Sequence, residues 1–230
     1  MNSRTLHYIA RIHTDFPEKF GIPRQARLVN TRGKIILEPE YRTEEALRGL
    51  EEYSHLWLIW EFSETVRESW SATVRPPRLG GNTRCGVFAT RSPFRPNPLG
   101  LSCVKLIGIE KDQESGPVLI VEGADLMDGT PIFDIKPYLP YVDAVEEARG
   151  GFSDRVKDYT LDVEIPDALF QKLPEEQQKC IRDILSEDPR PSYQKDPDRI
   201  YGMEYAGFEI RFRVKDHTVI VCEIEKTDKK

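Results

Sequence analysis

Up to about residue 145, the apolar residues of this chain recur in short runs of strand length separated by glycine and proline, and this spacing is what most limits the fold. LHYIARIHT has the alternation and β-branching of a strand, and ARLVN and GKIILEP read as two more segments. HLWLIWEF is an apolar run bounded by charge, the pattern of a buried central strand. CGVFAT, LSCVKLIGIEK, PVLIVEGAD and PIFDIKPYL continue the series. One helix interrupts it. In YRTEEALRGLEEY, Thr43 stands at the N-cap, Glu44 and Glu45 in the first turn, and Ala46, Leu47 and Leu50 on an apolar face. Many short strands with one helix predict a barrel or a strongly coiled sheet. No G-x-G-x-x-G follows the first strand, so a Rossmann nucleotide domain is unsupported.

After Tyr141 the pattern changes. EEARGGFSD reads as an exposed polar connector, and LDVEIP as a strand. DALFQKLPEEQQKCIRDILSED then reads as two short helices divided at Pro174. DPRPSYQKDPDRIYG is a loop sequence, and YGMEYAGFEIRFRVKDHTVIVCEIEK alternates around KDH as a β-hairpin. The expected fold class is therefore α+β, mainly β. It places an N-terminal β-barrel over residues 1–144 and a small C-terminal α+β domain over 145–230.

Charge narrows the choice of partner. With 39% hydrophobic and 31% charged residues the chain reads as a globular protein, and no apolar run reaches the roughly 20 residues that cross a bilayer. The N-terminus lacks the shape of a signal peptide, so a cytoplasmic protein is expected. Cys85, Cys103, Cys180 and Cys222 form no C-x-x-C pair and read as small buried hydrophobes. The four histidines form no ligand cluster, and no metal is expected. The net charge of −6 runs against nucleic-acid binding. Locally the balance reverses: Arg67, Arg75, Arg78, Arg84, Arg91 and Arg95 stand against Glu68 alone, which suits an anionic partner.

The densest chemistry lies in PRLGGNTRCGVFATRSPFRPNPLGLSCVKL, Pro77–Leu106, where prolines stiffen a cationic loop and Gly80, Gly81, Gly86 and Gly100 allow close approach to the backbone. Read alone, a solvated surface loop would explain it as well. Within it, GVFATRSPFRPNPLGLS resembles the signature of the TsaA-like (TrmO) family. Further pieces match in order: Pro23-Arg24-Gln25, Tyr53 to Trp57, Asp125 to Pro131, and Asp134 to Pro140. The later DPRPSYQKDPDRIYGMEYAGFEIRF resembles the C-terminal extension of the family's bacterial branch.

The resemblance implies a TsaA-like β-barrel that binds S-adenosyl-L-methionine, assembles as a homodimer, and methylates tRNA. The position implied is N6 of N6-threonylcarbamoyladenosine 37 in threonine tRNA, at the anticodon loop. By motif match the cofactor would touch Pro23, Arg24, Gln25, His55, Leu56, Arg91, Leu101 and the turn Met127-Asp128-Gly129-Thr130. Methionine stands at Met127 where relatives often carry leucine. Physically, Arg24 or Arg91 could fork onto a carboxylate, Leu56 and Leu101 could wall a purine, and the Asp128-Gly129 turn could offer backbone groups. Each is, taken singly, more often a salt bridge, a core residue or a plain turn.

Methyl transfer from a sulfonium needs mainly positioning and a dry pocket. The carbamoyl group makes the N6 proton more acidic, and Asp128, Asp134, Tyr138 and His55 are candidate acceptors with none preferred. Asn97 and Arg95, and in the C-terminal segment Arg190, Tyr193 and Arg199, with Tyr201 and Lys195, are candidates for contact with RNA. Two alternatives stay open: a methyltransferase of this fold with another substrate, and a non-enzymatic barrel that binds a nucleotide or RNA.

Overall fold

The computed structural model describes residues 3–65, 69–79, 83–190, 194 and 196–227. Arg67, Glu68, Gly80, Gly81, Tyr193 and Lys195 lie outside them. Along the chain come β1 (Ala10–Thr14), β2 (Arg32–Leu37), α1 (Glu44–Leu47), β3 (His55–Glu61), β4 (Thr73–Val74), β5 (Cys85–Gly86), β6 (Leu99–Asp112), β7 (Gly116–Glu122), β8 (Thr130–Pro137) and α2 (Pro140–Asp143). Then follow β9 (Asp162–Glu164), α3 (Asp167–Phe170), α4 (Glu175–Ser186), β10 (Tyr201–Tyr205), β11 (Phe208–Lys215) and β12 (Thr218–Lys226).

Six strands close a barrel in the order β1-β2-β7-β6-β3-β8, and every neighbouring pair is antiparallel. Alternation does the sorting. On β3, Leu56, Leu58 and Trp60 face inward, while His55, Trp57 and Ile59 face out. This strand is central, but it is buried on one face only, unlike the fully buried strand expected from HLWLIWEF. Ile12, Ile35, Leu56, Leu58, Leu119 and Ile132 are fully enclosed. Truncating one of them to alanine costs about 2–5 kcal/mol.

The C-terminal residues build a second sheet, β10-β11-β12-β9, with β9 parallel to β12. Pro174 caps α4 after α3 has ended, as expected, and Ile181, Ile184 and Leu185 of α4 are buried. The tail holds the expected KDH hairpin plus one more turn, at Ala206-Gly207, where both residues have positive φ. This core also takes in part of the N-terminal sequence. Phe16 is fully buried, its ring 4.9 Å from Tyr205, and Val29, Phe20 and Ile22 pack on the same cluster.

Three expectations are corrected. The helix at Thr43 shrinks to the single turn α1 plus a 3-10 turn, because Gly49 at φ 84 breaks the run and the Thr43 hydroxyl bonds Glu45 instead of capping. ARLVN forms no strand, since Arg27 adopts φ 70 and Val29 turns away into the C-terminal core. Cys222 is exposed; Cys103 is buried, and Cys85 and Cys180 are half-buried.

Candidate active site at the barrel mouth

Three connections leave the same end of the barrel, because β1, β3 and β7 finish there while β2, β6 and β8 begin there. They are residues 15–31, 62–98 and 123–129. The last must cross the mouth, since β7 lies between β2 and β6 whereas β8 lies between β1 and β3. It does so by dropping Ala124 and Leu126 into the barrel core. Asp125, between them, accepts a hydrogen bond from the Ser102 hydroxyl, which accepts one from the Trp60 indole N–H at 2.9 Å. Gly100 leaves room for that indole: a Cβ there would stand 2.2 Å from the ring. Burial pushes the Asp125 carboxyl above its ordinary range. The Ser102 hydroxyl, the backbone N–H groups of Asp125 and Ala26, and the charge of Arg91 oppose that rise.

Around this acid the other two connections meet. Arg91 Nη1 donates to Gln25 Oε1, and Gln25 Nε2 donates to the Arg24 carbonyl. The Arg27 N–H bonds the Gly123 carbonyl at 2.8 Å, which holds its left-handed backbone in place. Its guanidinium lies near the Cys103 thiol on the outer wall of β6 and opposes the rise that burial imposes on that thiol. The strand stagger brings His55 onto the same wall, opposite Lys105, which is itself opposite Glu122. Burial, followed by the charges of Arg27 and Lys105, holds His55 below its ordinary value, so the ring is neutral at pH 7. Its Nδ1 lies 2.9 Å from the Ser54 hydroxyl. Leu101 projects outward from β6 and is 53% exposed.

Other expected residues sit differently. Leu56 is wholly inside the barrel core, so its side chain faces no ligand. In the Met127–Thr130 turn the N–H groups of Asp128, Gly129 and Thr130 donate to the carbonyls of Phe16, Ile12 and Met127. The Asp128 carboxylate accepts from the Thr14 N–H and meets His13 Nδ1, both at 3.1 Å. That turn fastens β1 to β8, and those donors are occupied by the fold. Pro23 is buried. Arg24 Nη2 donates to the carbonyls of Asp188 and Arg190 at 2.9 and 3.0 Å.

Arg190 makes a two-bond fork to the Asp188 carboxylate, and the Tyr159 hydroxyl donates to the same group. The Arg190 and Asp188 side chains are 12% and 10% exposed. Arg24 and Arg190, expected at a cofactor carboxylate and an RNA phosphate, therefore form a clasp between residues 15–31 and the C-terminal unit. Arg95 bonds the carbonyls of Thr90 and Ser92 and braces its own loop. Asn97 and Arg199 are exposed, and the Arg199 guanidinium lies 5.3 Å from the centre of the Tyr201 ring.

Among the candidate proton acceptors, Asp134 is paired with Lys136 and Asp128 with His13. His55 and Tyr138 lie together, their rings 6.1 Å apart. Asp125, Ser102 and Arg27 were missed by the sequence reading. Asp125 opens one matching motif and Arg27 follows another by two residues, but nothing in the sequence shows that they meet. Among the described residues no group of His, Cys, Asp or Glu is arranged to hold a metal ion, and no helix is long and apolar enough to cross a membrane.

Comparison with known proteins accords with this geometry. The profile of the tRNA-methyltransferase O N-terminal domain matches residues 11–144, and that of the TrmO C-terminal domain matches 158–227. A tRNA (adenine(37)-N6)-methyltransferase of Escherichia coli K12 is 40% identical, with 98% of this chain and 99% of the relative covered. A Pseudomonas aeruginosa relative named as an S-adenosylmethionine-dependent methyltransferase, RcsF, is 42% identical over 89% of this chain and 90% of its own length. The crystal structure of TrmO from Pseudomonas aeruginosa superposes with a TM-score of 0.78 at 33% identity, covering 97% of this chain and 100% of that one. With both profiles matched in order and relatives aligned from end to end, the chain belongs to the TrmO tRNA-methyltransferase family.

Proposed function

We propose that this chain transfers a methyl group from S-adenosylmethionine to N6 of adenosine 37 in tRNA. Its substrate is the threonylcarbamoyl-modified adenosine of threonine tRNA, and it works as a cytoplasmic homodimer. The observation that carries this reading is the meeting of Gln25, Arg91 and Asp125 at the barrel mouth, in a chain whose full-length relatives are named for the reaction.

The donor set fits the zwitterionic cofactor. The Arg91 guanidinium would take its carboxylate, the Asp125 carboxylate its ammonium, and Leu101 would wall its purine. Pro23 to Gln25, His55 and the Met127–Thr130 turn frame this site, with Leu56 taking part through its backbone alone. S-adenosylmethionine brings a methyl group already activated on sulfur, so positioning and proton handling are left to the protein. Neutral His55 accepts the proton released from N6, and the carbamoyl group lowers the basicity required of it. Asn97, Arg95 and Arg199 meet the anticodon loop, and residues 145–230 act as the domain that presents Arg199.

The test is transfer of a labelled methyl group to tRNA from two strains, one with and one without the threonylcarbamoyl modification. Label on the modified tRNA alone is the expected result. Label on both would remove the threonylcarbamoyl requirement, and label on neither, from protein stabilised by the cofactor, would sink the tRNA assignment.

A further inference from the structure

Trp70 and Phe88 are 52% and 72% exposed, yet their rings stack with centroids 6.2 Å apart and planes 28° apart. Neither belongs to the barrel core or to the C-terminal core. They flank the ribbon of β4 and β5, Trp70 at its entry and Phe88 at its exit, with Thr73 opposite Gly86 and Val74 opposite Cys85. The Val87 N–H bonds the Ala72 carbonyl at 3.0 Å, and Arg84 Nη1 bonds the Thr73 hydroxyl at 2.9 Å. Val87, 1% exposed, anchors the exit strand. A pinned ribbon thus presents the two rings.

Charge indicates what they meet. Residues 69–98 include Arg75, Arg78, Arg84, Arg91 and Arg95 and no aspartate or glutamate, in a chain of net charge −6. Exposed aromatic faces in an arginine-rich, acid-poor stretch match single-stranded nucleic acid, whose bases stack while its phosphates pair with arginine. The platform also belongs with the site: Phe88 lies three residues before Arg91, so the two backbones are within about 11 Å.

We propose that Trp70 and Phe88 form a stacking platform for an unstacked base of the tRNA loop beside the nucleotide being methylated, with Arg75 and Arg84 on the flanking phosphates. This rests on the tRNA reading above and assigns the arm a definite part in it.

The test uses the full chain, with Trp70→Ala/Phe88→Ala and the conservative Trp70→Phe/Phe88→Tyr. It measures tRNA affinity and KM for tRNA, the rise in Tm on adding S-adenosylmethionine, and molecular mass by light scattering. A stacked base is worth about 1–3 kcal/mol, so the alanine pair weakens tRNA binding roughly tenfold or more. The conservative pair restores it, and the cofactor-induced rise in Tm and the mass stay as in the parent. Unchanged tRNA affinity in the alanine pair overturns the platform, as does a fall in mass, which would assign the rings to a second copy of the chain. Failure of the parent itself to methylate tRNA would instead sink the underlying reading.

Discussion

Asp125 concentrates the residue-scale argument. It is a carboxyl group at the barrel mouth, tied to Trp60 through Ser102 and close to Ala26 of the 15–31 connection and to Arg91. Asp125→Asn keeps the shape and an acceptor but cannot ionise. We expect isothermal titration to show about tenfold weaker S-adenosylmethionine binding in this variant, with Tm nearly unchanged. Asp125→Ala also leaves the Ser102 hydroxyl without its acceptor, costing about 1–3 kcal/mol in urea denaturation. Equal cofactor affinity in parent and Asp125→Asn would reduce the residue to a structural role. Sequence could not reveal this, because Asp125 reads as one letter of a turn motif and its partner Ser102 lies in a strand reached only through the closed barrel.

At the scale of elements, the clasp of Asp188, Arg190 and Arg24 sits where α4 ends, on a left-handed residue. Burial alone would raise the Asp188 pKa, but the hydrogen bonds and charge of Arg190 and the Tyr159 hydroxyl bring it below its ordinary value. A carboxylate so lowered adds stability that is present above its unfolded value, about 3.9, and is lost as pH falls through the folded one. Arg190→Ala leaves a buried charge without its partner. It should cost about 3 kcal/mol at pH 7, with the gap to the parent narrowing below about pH 4 as Asp188 takes a proton. A loss under 1 kcal/mol, constant with pH in urea titrations, would rule out the clasp. Strands were the more legible elements: β6, β7 and β8 form where apolar runs of strand length stand in the sequence. Arginine roles were not legible. Arg24 and Arg190 look like solvent-facing cations until the fold joins positions far apart in the chain, and the helix read at Thr43 ignored the break that Gly49 imposes.

For the whole molecule, the sequence order and the packing disagree about where one unit ends. Phe16, Phe20, Ile22 and Val29 precede most of the barrel in the chain but pack in the C-terminal core. The two that are fully buried, Phe16 and Val29, are worth about 1.5–3 kcal/mol each. A chain cut after residue 144 should therefore expose all four, bind the dye ANS strongly, and lose the rise in Tm on adding S-adenosylmethionine, because Arg24 and Gln25 lie in the same segment. A well-behaved fragment that binds cofactor as the parent does would show that the barrel needs no such support. The consequence reaches to engineering. Whoever transplants the C-terminal sheet between relatives must carry the early loop with it, as the exchangeable module is two stretches of sequence rather than one. A chimera joined at the polar connector alone would inherit a mismatched hydrophobic seam beside Arg24 and Gln25.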